Sequence, residues 1–214
     1  MKKSLKDIEF IVVDGVLDCQ ECNLTSLEGC PENVKILLCW HNQITSLAGC
    51  PESVQILNCS FNLLTSLEGC PEGITNLYSD YNQLTSLEGC PENVIKLCVD
   101  KNHLTSLKGC PESVIRLDCR CNQLTSLKEC PENIKELRCL KNPLNSTYKD
   151  KSLEEIRTIN YIKKFRKGMS IVNNIILNHN ANNIQRVWDD YWYKPNKQGE
   201  SRTAKKQYEL FKEK

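Results

Sequence analysis

The twenty residues LTSLEGCPENVKILLCWHNQ, positions 24–43, return five more times down the chain with their landmarks in fixed columns. Leu24, Ile44, Leu64, Leu84, Leu104 and Leu124 each open a Thr-Ser-Leu phrase; Pro31, Pro51, Pro71, Pro91, Pro111 and Pro131 each follow a cysteine and precede a glutamate. A strict period constrains the fold more than any other feature, because it means one small unit stacked on copies of itself. Backwards the frame reaches Leu17 and Cys19, and forwards it reaches Leu137, Cys139, Asn142 and Leu144, ending where Thr147 stands in place of a leucine.

One unit reads Val34-x-x-Leu37-x-Cys39-x-x-Asn42-x-Ile44-x-x-Leu47-x-x-Cys50-Pro51, the spacing by which leucine-rich repeats are recognised. The two-residue step from Leu37 to Cys39 predicts a strand with both side chains on one face, and Leu38 and Trp40 on the other. Asn42 and its partners Asn62, Asn82, Asn102, Asn122 and Asn142 fall where the chain leaves the strand, where an inward amide can bond the backbone of a neighbouring coil. That makes the asparagine column a structural device. Seven strand units stacked about 4.8 Å apart would form a parallel sheet roughly 30 Å across. Twenty residues leave little room for a return helix, and the proline of each coil removes a donor and disfavours helix before it, so an extended or polyproline-like convex side is expected.

The phrase resembles the short 20-residue leucine-rich repeats of bacterial type III secreted effectors, with Cys-Pro here where those repeats carry Leu-Pro. It is also similar to the leucine-rich repeat proteins of giant amoebal viruses such as mimivirus, in having Cys for Leu and a tail rich in lysine and asparagine. The resemblance covers about residues 17 to 147 and implies a solenoid whose function resides in its variable surface residues. Some effectors with such repeats carry a ubiquitin-ligase domain with a Cys-x-Asp nucleophile. Cys98-Val99-Asp100 has that form, but Val99 takes an inward strand slot, and the tail has no cysteine. His41, His103 and His179 fit no pattern with a nucleophile and an acid, and no glycine-rich phosphate loop is present. The chain therefore reads as non-enzymatic.

Of 14 cysteines, six occupy the Cys-Pro column, five the strand column (Cys19, Cys39, Cys59, Cys119, Cys139), and Cys22 the asparagine position. Small, apolar and often buried, cysteine can replace leucine in a narrow coil. The Cys19/Cys22 and Cys119/Cys121 spacings could suggest a disulfide framework or a metal site, yet no second pair stands at finger spacing. Periodicity explains the spacing better, so reduced thiols, no metal and no cofactor are expected.

The outward columns vary where the core does not. The first runs Asp18, Leu38, Asn58, Tyr78, Cys98, Asp118, Arg138; the next Gln20, Trp40, Ser60, Asp80, Asp100, Arg120, Leu140; and the strand exit Glu21, His41, Phe61, Tyr81, Lys101, Cys121, Lys141. Trp40, His41, Phe61, Tyr78 and Tyr81 should cluster over coils two to four, and with Leu38 and Asp80 they form the candidate partner-binding face. Residues 1–94 hold 4 Lys+Arg against 13 Asp+Glu, and 95–144 hold 9 against 6, so the solenoid is acidic at one end and mildly basic at the other.

Three regions are expected: an N-terminal cap over 1–16 in which Ile8, Phe10, Val12 and Val13 cover the first coil, the solenoid over 17–147, and a basic α-helical region over 148–214. In the last, Ser152 and Glu155 read as a capping box ahead of Ile156, Ile159, Phe165, Met169, Val172 and Ile176 at helical spacing. Ile184, Val187, Trp188, Tyr191 and Trp192 predict a second helix ended by Pro195. These helices should cap the last coil.

No apolar run approaches the roughly 18 residues of a membrane span, and MKKSLKDIEFIVVDG carries acids where a signal peptide would be apolar. A soluble, cytoplasmic protein is expected, in the host cytoplasm or the virion if the chain is viral. The favoured function is a protein-protein interaction module that binds a host or viral protein through its concave face. The alternatives are a self-assembling structural component, and nucleic-acid binding through Lys163, Lys164, Arg166 and Lys167 of the tail.

Overall fold

The computed structural model describes residues 3–178. Eight short strands form one sheet in chain order: β1 Val12–Val13, β2 Val16–Asp18, β3 Ile36–Leu38, β4 Ile56–Asn58, β5 Asn76–Tyr78, β6 Lys96–Cys98, β7 Arg116–Asp118 and β8 Glu136–Arg138. From β2 to β8 every pairing is parallel, and Leu17, Leu37, Leu57, Leu77, Leu97, Leu117 and Leu137 stand in register across the sheet. Three residues suffice for each strand because its central leucine faces a core shared with the coils on either side. Leu24, Leu27, Val34, Leu37 and Ile44 and their equivalents are buried in one continuous cluster, except that Leu137 and Leu144 of the last coil are half-buried. No coil could bury these side chains alone, so stability comes from stacking. The chain is a leucine-rich repeat solenoid.

The return path contains no helix among the described residues. Each coil closes instead with two consecutive turns, as in Cys30 N–H to Leu27 O at 3.0 Å and Val34 N–H to Pro31 O at 3.3 Å. The third residue of the first turn is glycine in five coils. At Gly109 the reasons are visible: φ is +85°, and a Cβ there would lie 2.6 Å from Glu88 N. The sixth coil carries Glu129 at that place, which does not share the positive φ.

The asparagine column knits the stack. Asn82 Oδ1 accepts from Leu64 N–H at 2.9 Å, and its Nδ2 donates to Cys59 O at 3.0 Å and Ser79 O at 3.3 Å. Asn42, Asn62, Asn102, Asn122 and Asn142 repeat the same bridge between consecutive coils. Cys22, at this position in the first coil, donates its thiol to Gln20 O at 3.2 Å.

At the N-terminal end the chain adds an antiparallel strand. Asp14 and Gly15, with φ of 51° and 77°, form the two-residue turn that folds β1 back on β2. Leu5 is fully buried, and Ile8, Phe10 and Val12 pack on the first coil, whereas Val13 faces out and is 60% exposed. Val13 therefore does not cover the coil as expected, because alternation along β1 sends it to the opposite side from Val12.

At the other end, Tyr148 is buried and donates its hydroxyl to Asn160 Oδ1 at 2.8 Å, while Asn160 Nδ2 donates to Leu127 O at 2.8 Å. These contacts belong to the first two turns of helix α1, Leu153–Asn178, whose Ile156 is buried and whose Arg157 donates to Ile134 O. The reciprocal bonds of Ser152 and Glu155 start the helix. The compact unit built on the repeats ends at Asn160, and residues from Tyr161 onward form a second unit. The second helix expected around Trp188 lies outside the described residues. No helix among the described residues is long and apolar enough to cross a membrane.

Candidate protein-binding face

The backbone at the strand exit determines what this face presents. In each coil the third residue after the strand lies in the left-handed region: Glu21, His41, Phe61, Tyr81, Lys101, Cys121 and Lys141 have φ between 51° and 58°. That conformation costs a non-glycine residue about 1 kcal/mol. From Glu21 to Cys121 it is held because each N–H bonds the next coil, as in His41 N–H to Ser60 O at 3.0 Å and Phe61 N–H to Asp80 O at 2.8 Å. Identical backbones one strand spacing apart place their side chains directly over one another.

The result is a stack of rings. His41 lies on Phe61 with centroids 4.2 Å apart and planes 12° off parallel, and Phe61 lies on Tyr81 at 4.0 Å and 15°. Trp40 meets His41 edge-on at 5.0 Å. Lys101 closes the row with its Nζ 4.1 Å above the Tyr81 ring, bonded to the Tyr81 hydroxyl. Phe61 and Tyr81 each remain 38% exposed.

Beside the stack runs a depression of about 240 Å³ lined by Trp40, Asn58, Ser60, Phe61, Asp80, Tyr81, Cys98, Asp100, Asp118 and Arg120. Arg120 grips Asp118 at two points, Nε to Oδ1 at 2.8 Å and a terminal nitrogen to Oδ2 at 2.7 Å. Asp80 Oδ1 accepts from Asp100 N–H at 2.8 Å, and Asp100 Oδ1 is shielded from solvent with no hydrogen-bond partner. Burial pushes the Asp80 carboxyl up to about 6, the charges of Asp100 and Asp118 adding to the effect and the Asp100 N–H opposing it.

Of the expected face, Trp40, His41, Phe61, Asp80 and Tyr81 come together in the stack and the depression it borders. Tyr78 and Leu38 stand apart in the first outward column, Tyr78 beneath the Lys96 ammonium at 4.7 Å and Leu38 half-buried in β3. They do not line the depression. Asp100, Asp118, Arg120 and Lys101 complete the site. Their signal lay in the same columns, as charges on the coils that follow the aromatic ones.

Cys98 also lines the depression, but burial pushes its thiol up to about 12, which leaves little thiolate for nucleophilic work. Val99 behind it is fully buried. Burial likewise raises the thiols of Cys39 and Cys119 well above the ordinary range. Among the described residues, no group of three or more His, Cys, Asp or Glu side chains could hold a metal ion.

No protein-family model matches the chain. No curated protein matches it either. Among solved structures it is similar to YopM from Yersinia enterocolitica WA-314, with 28% identity, 56% of this chain and 27% of that one covered, and a TM-score of 0.52. It is similar as well to the YopM structure from Yersinia pestis described as a leucine-rich effector protein: 28% identity, coverage of 61% and 38%, TM-score 0.52. A Shigella effector LRR domain aligns at 26% identity over 61% of this chain and 51% of that one, with a TM-score of 0.41. The chain spans only 27% and 38% of the two Yersinia proteins' lengths. With the stacked parallel sheet, the two Yersinia likenesses support leucine-rich repeats similar to those of bacterial effectors.

Proposed function

We propose that this chain is a non-enzymatic protein-interaction module that engages its partner with the face formed by Trp40, His41, Phe61, Tyr81 and Asp80. The observation that carries the reading is the row of stacked, part-exposed rings bordering a depression whose carboxylates are not all compensated. Rings held by one another lose little freedom on binding, which is why such side chains dominate the energetics of interfaces. The effector-like repeats support the same reading, since the Yersinia pestis protein is described as a leucine-rich effector. In this reading residues 17–147 carry the face, and 1–16 and 148–160 close the two ends of the stack.

Cysteine in leucine positions and the lysine- and asparagine-rich tail support an origin in a giant amoebal virus, with action in the infected host cytoplasm on a host or viral protein. The test is an affinity capture from amoebal lysate with the full chain beside a Trp40→Ala, Phe61→Ala, Tyr81→Ala variant whose fold is verified by circular dichroism. A protein captured by the first and lost with the second is the expected result. Identical captures by both would overturn use of this face.

A further inference from the structure

The depression holds more negative charge than the molecule itself neutralises. Three carboxylates, Asp80, Asp100 and Asp118, line it with a single cation, Arg120, and that cation is engaged at two points by Asp118. Among the described residues neither Asp80 nor Asp100 has a salt-bridge partner, and Asp100 Oδ1 is out of solvent without a hydrogen bond. Lys101, the nearest cation along the strand-exit row, is turned onto the Tyr81 ring and hydroxyl. A partner covering this depression with neutral or acidic groups would bury two uncompensated carboxylates, a costly outcome.

The walls narrow the chemistry further. Phe61 and Tyr81 have their faces covered by the stack and by Lys101, whereas Trp40 lines the same depression outside that stacked row, and ring faces attract cations. The chain's own lysines already use its rings this way, Lys101 over Tyr81 at 4.1 Å and Lys96 over Tyr78 at 4.7 Å. Asp80 and Asp100 stand on adjacent coils, joined through the Asp100 N–H. A planar group with several donors can meet both carboxyls while its flat face lies against a ring; a compact ammonium cannot do both.

We propose that the partner presents an arginine-bearing, extended segment to this face, with one guanidinium seated between Asp80 and Asp100 and against Trp40. This deepens the interaction reading above and rests on it. The size of the depression suits one long side chain and excludes a folded element, so the segment lies along the concave face with its neighbouring residues over the ring stack.

The test is selection of random twelve-residue peptides displayed on phage against the full chain, followed by binding of the enriched peptides, labelled with fluorescein, by anisotropy. The expected result is enrichment of arginine. Asp80→Asn combined with Asp100→Asn should then weaken binding about tenfold or more, and Lys in place of the peptide's Arg about fivefold or more. Peptides that lose binding with the Trp40→Ala, Phe61→Ala, Tyr81→Ala variant but carry no arginine preference would overturn the cation assignment while leaving the interaction face standing. Peptides indifferent to both sets of substitutions would overturn the face itself and the assignment with it. An absence of any enriched peptide would overturn the assignment.

Discussion

The ring of Phe61 lies nearly flat on that of Tyr81, centroids 4.0 Å apart, although the two residues are twenty positions distant in the chain. Neither ring is in the core; each is 38% exposed, and the contact exists because both residues occupy the same left-handed slot of consecutive coils. Phe61→Ala should therefore cost only about 1 kcal/mol in chemical denaturation, the worth of a surface aromatic contact. Truncation of a buried leucine such as Leu77 should cost about 2–5 kcal/mol. A Phe61→Ala cost in the leucine range would show that the stack supports the fold rather than decorating it.

The asparagine column makes the opposite kind of contribution. Asn82→Ala leaves the Leu64 N–H buried without its partner, at about 1–3 kcal/mol for the unsatisfied group, and takes one of two amide donors from the Cys59 carbonyl, which keeps Asn62 Nδ2 at 3.1 Å. Urea denaturation should show a loss of roughly 1–3 kcal/mol, whereas Gln83→Ala next to it, on an exposed side chain, should fall within about 0.5 kcal/mol of the parent. Asn82→Asp should also destabilise, since it replaces the donor with a charge facing carbonyl oxygens.

Asp80 ties stability to pH. Its carboxyl is raised from 3.8 to about 6, chiefly by burial, with Asp100 and Asp118 adding repulsion; Arg120, Cys98 and Cys59 are the other titratable groups around it. The folded chain therefore holds this proton more tightly than the unfolded one. The associated stability is complete below about pH 4 and is lost as pH rises through about 6. After solvent screening the loss is roughly 1 kcal/mol. Asp80→Asn should remove it: the variant and parent should melt alike near pH 4, and the variant should be the more stable at pH 7. A parent that gains stability across this interval relative to the variant would contradict the shift.

The cysteines should divide by accessibility. Cys39 and Cys119, buried and with thiols raised far above the usual range, should resist iodoacetamide in the native chain. Cys22 and Cys121 are part-exposed and should be alkylated first. Mass mapping after timed labelling checks the order, and modification of Cys39 ahead of Cys22 would mean that the coils open readily.

The period alone makes the register legible: columns twenty residues apart become neighbours across the sheet, so the buried leucines, the asparagine bridges and the outward columns all follow from counting. What counting misses lies at the ends and in backbone conformation. The β1 hairpin precedes the first repeat, and its signal is the Asp14-Gly15 pair rather than the period. Leu5 is buried through a local turn with no columnar partner. The ring stack depends on bulky residues holding a positive φ, a conformation that side-chain type argues against and that only the bonds to the next coil sustain. Tyr78, expected to cluster with the other rings over coils two to four, stays in its own column, where Lys96 lies over it. The unpartnered Asp100 oxygen could not be read from sequence, because satisfaction of a polar group is a property of what surrounds it.

The left-handed slot at each strand exit has an evolutionary consequence. Its backbone is dictated by the coil beneath, so histidine, phenylalanine, tyrosine, lysine, cysteine and glutamate all occupy it without altering the core. A change at one slot is felt mainly by the occupants one coil up and one coil down. Such a row behaves like movable type: its characters can be reset one at a time, and a binding preference can migrate along the solenoid while the page that holds it stays the same.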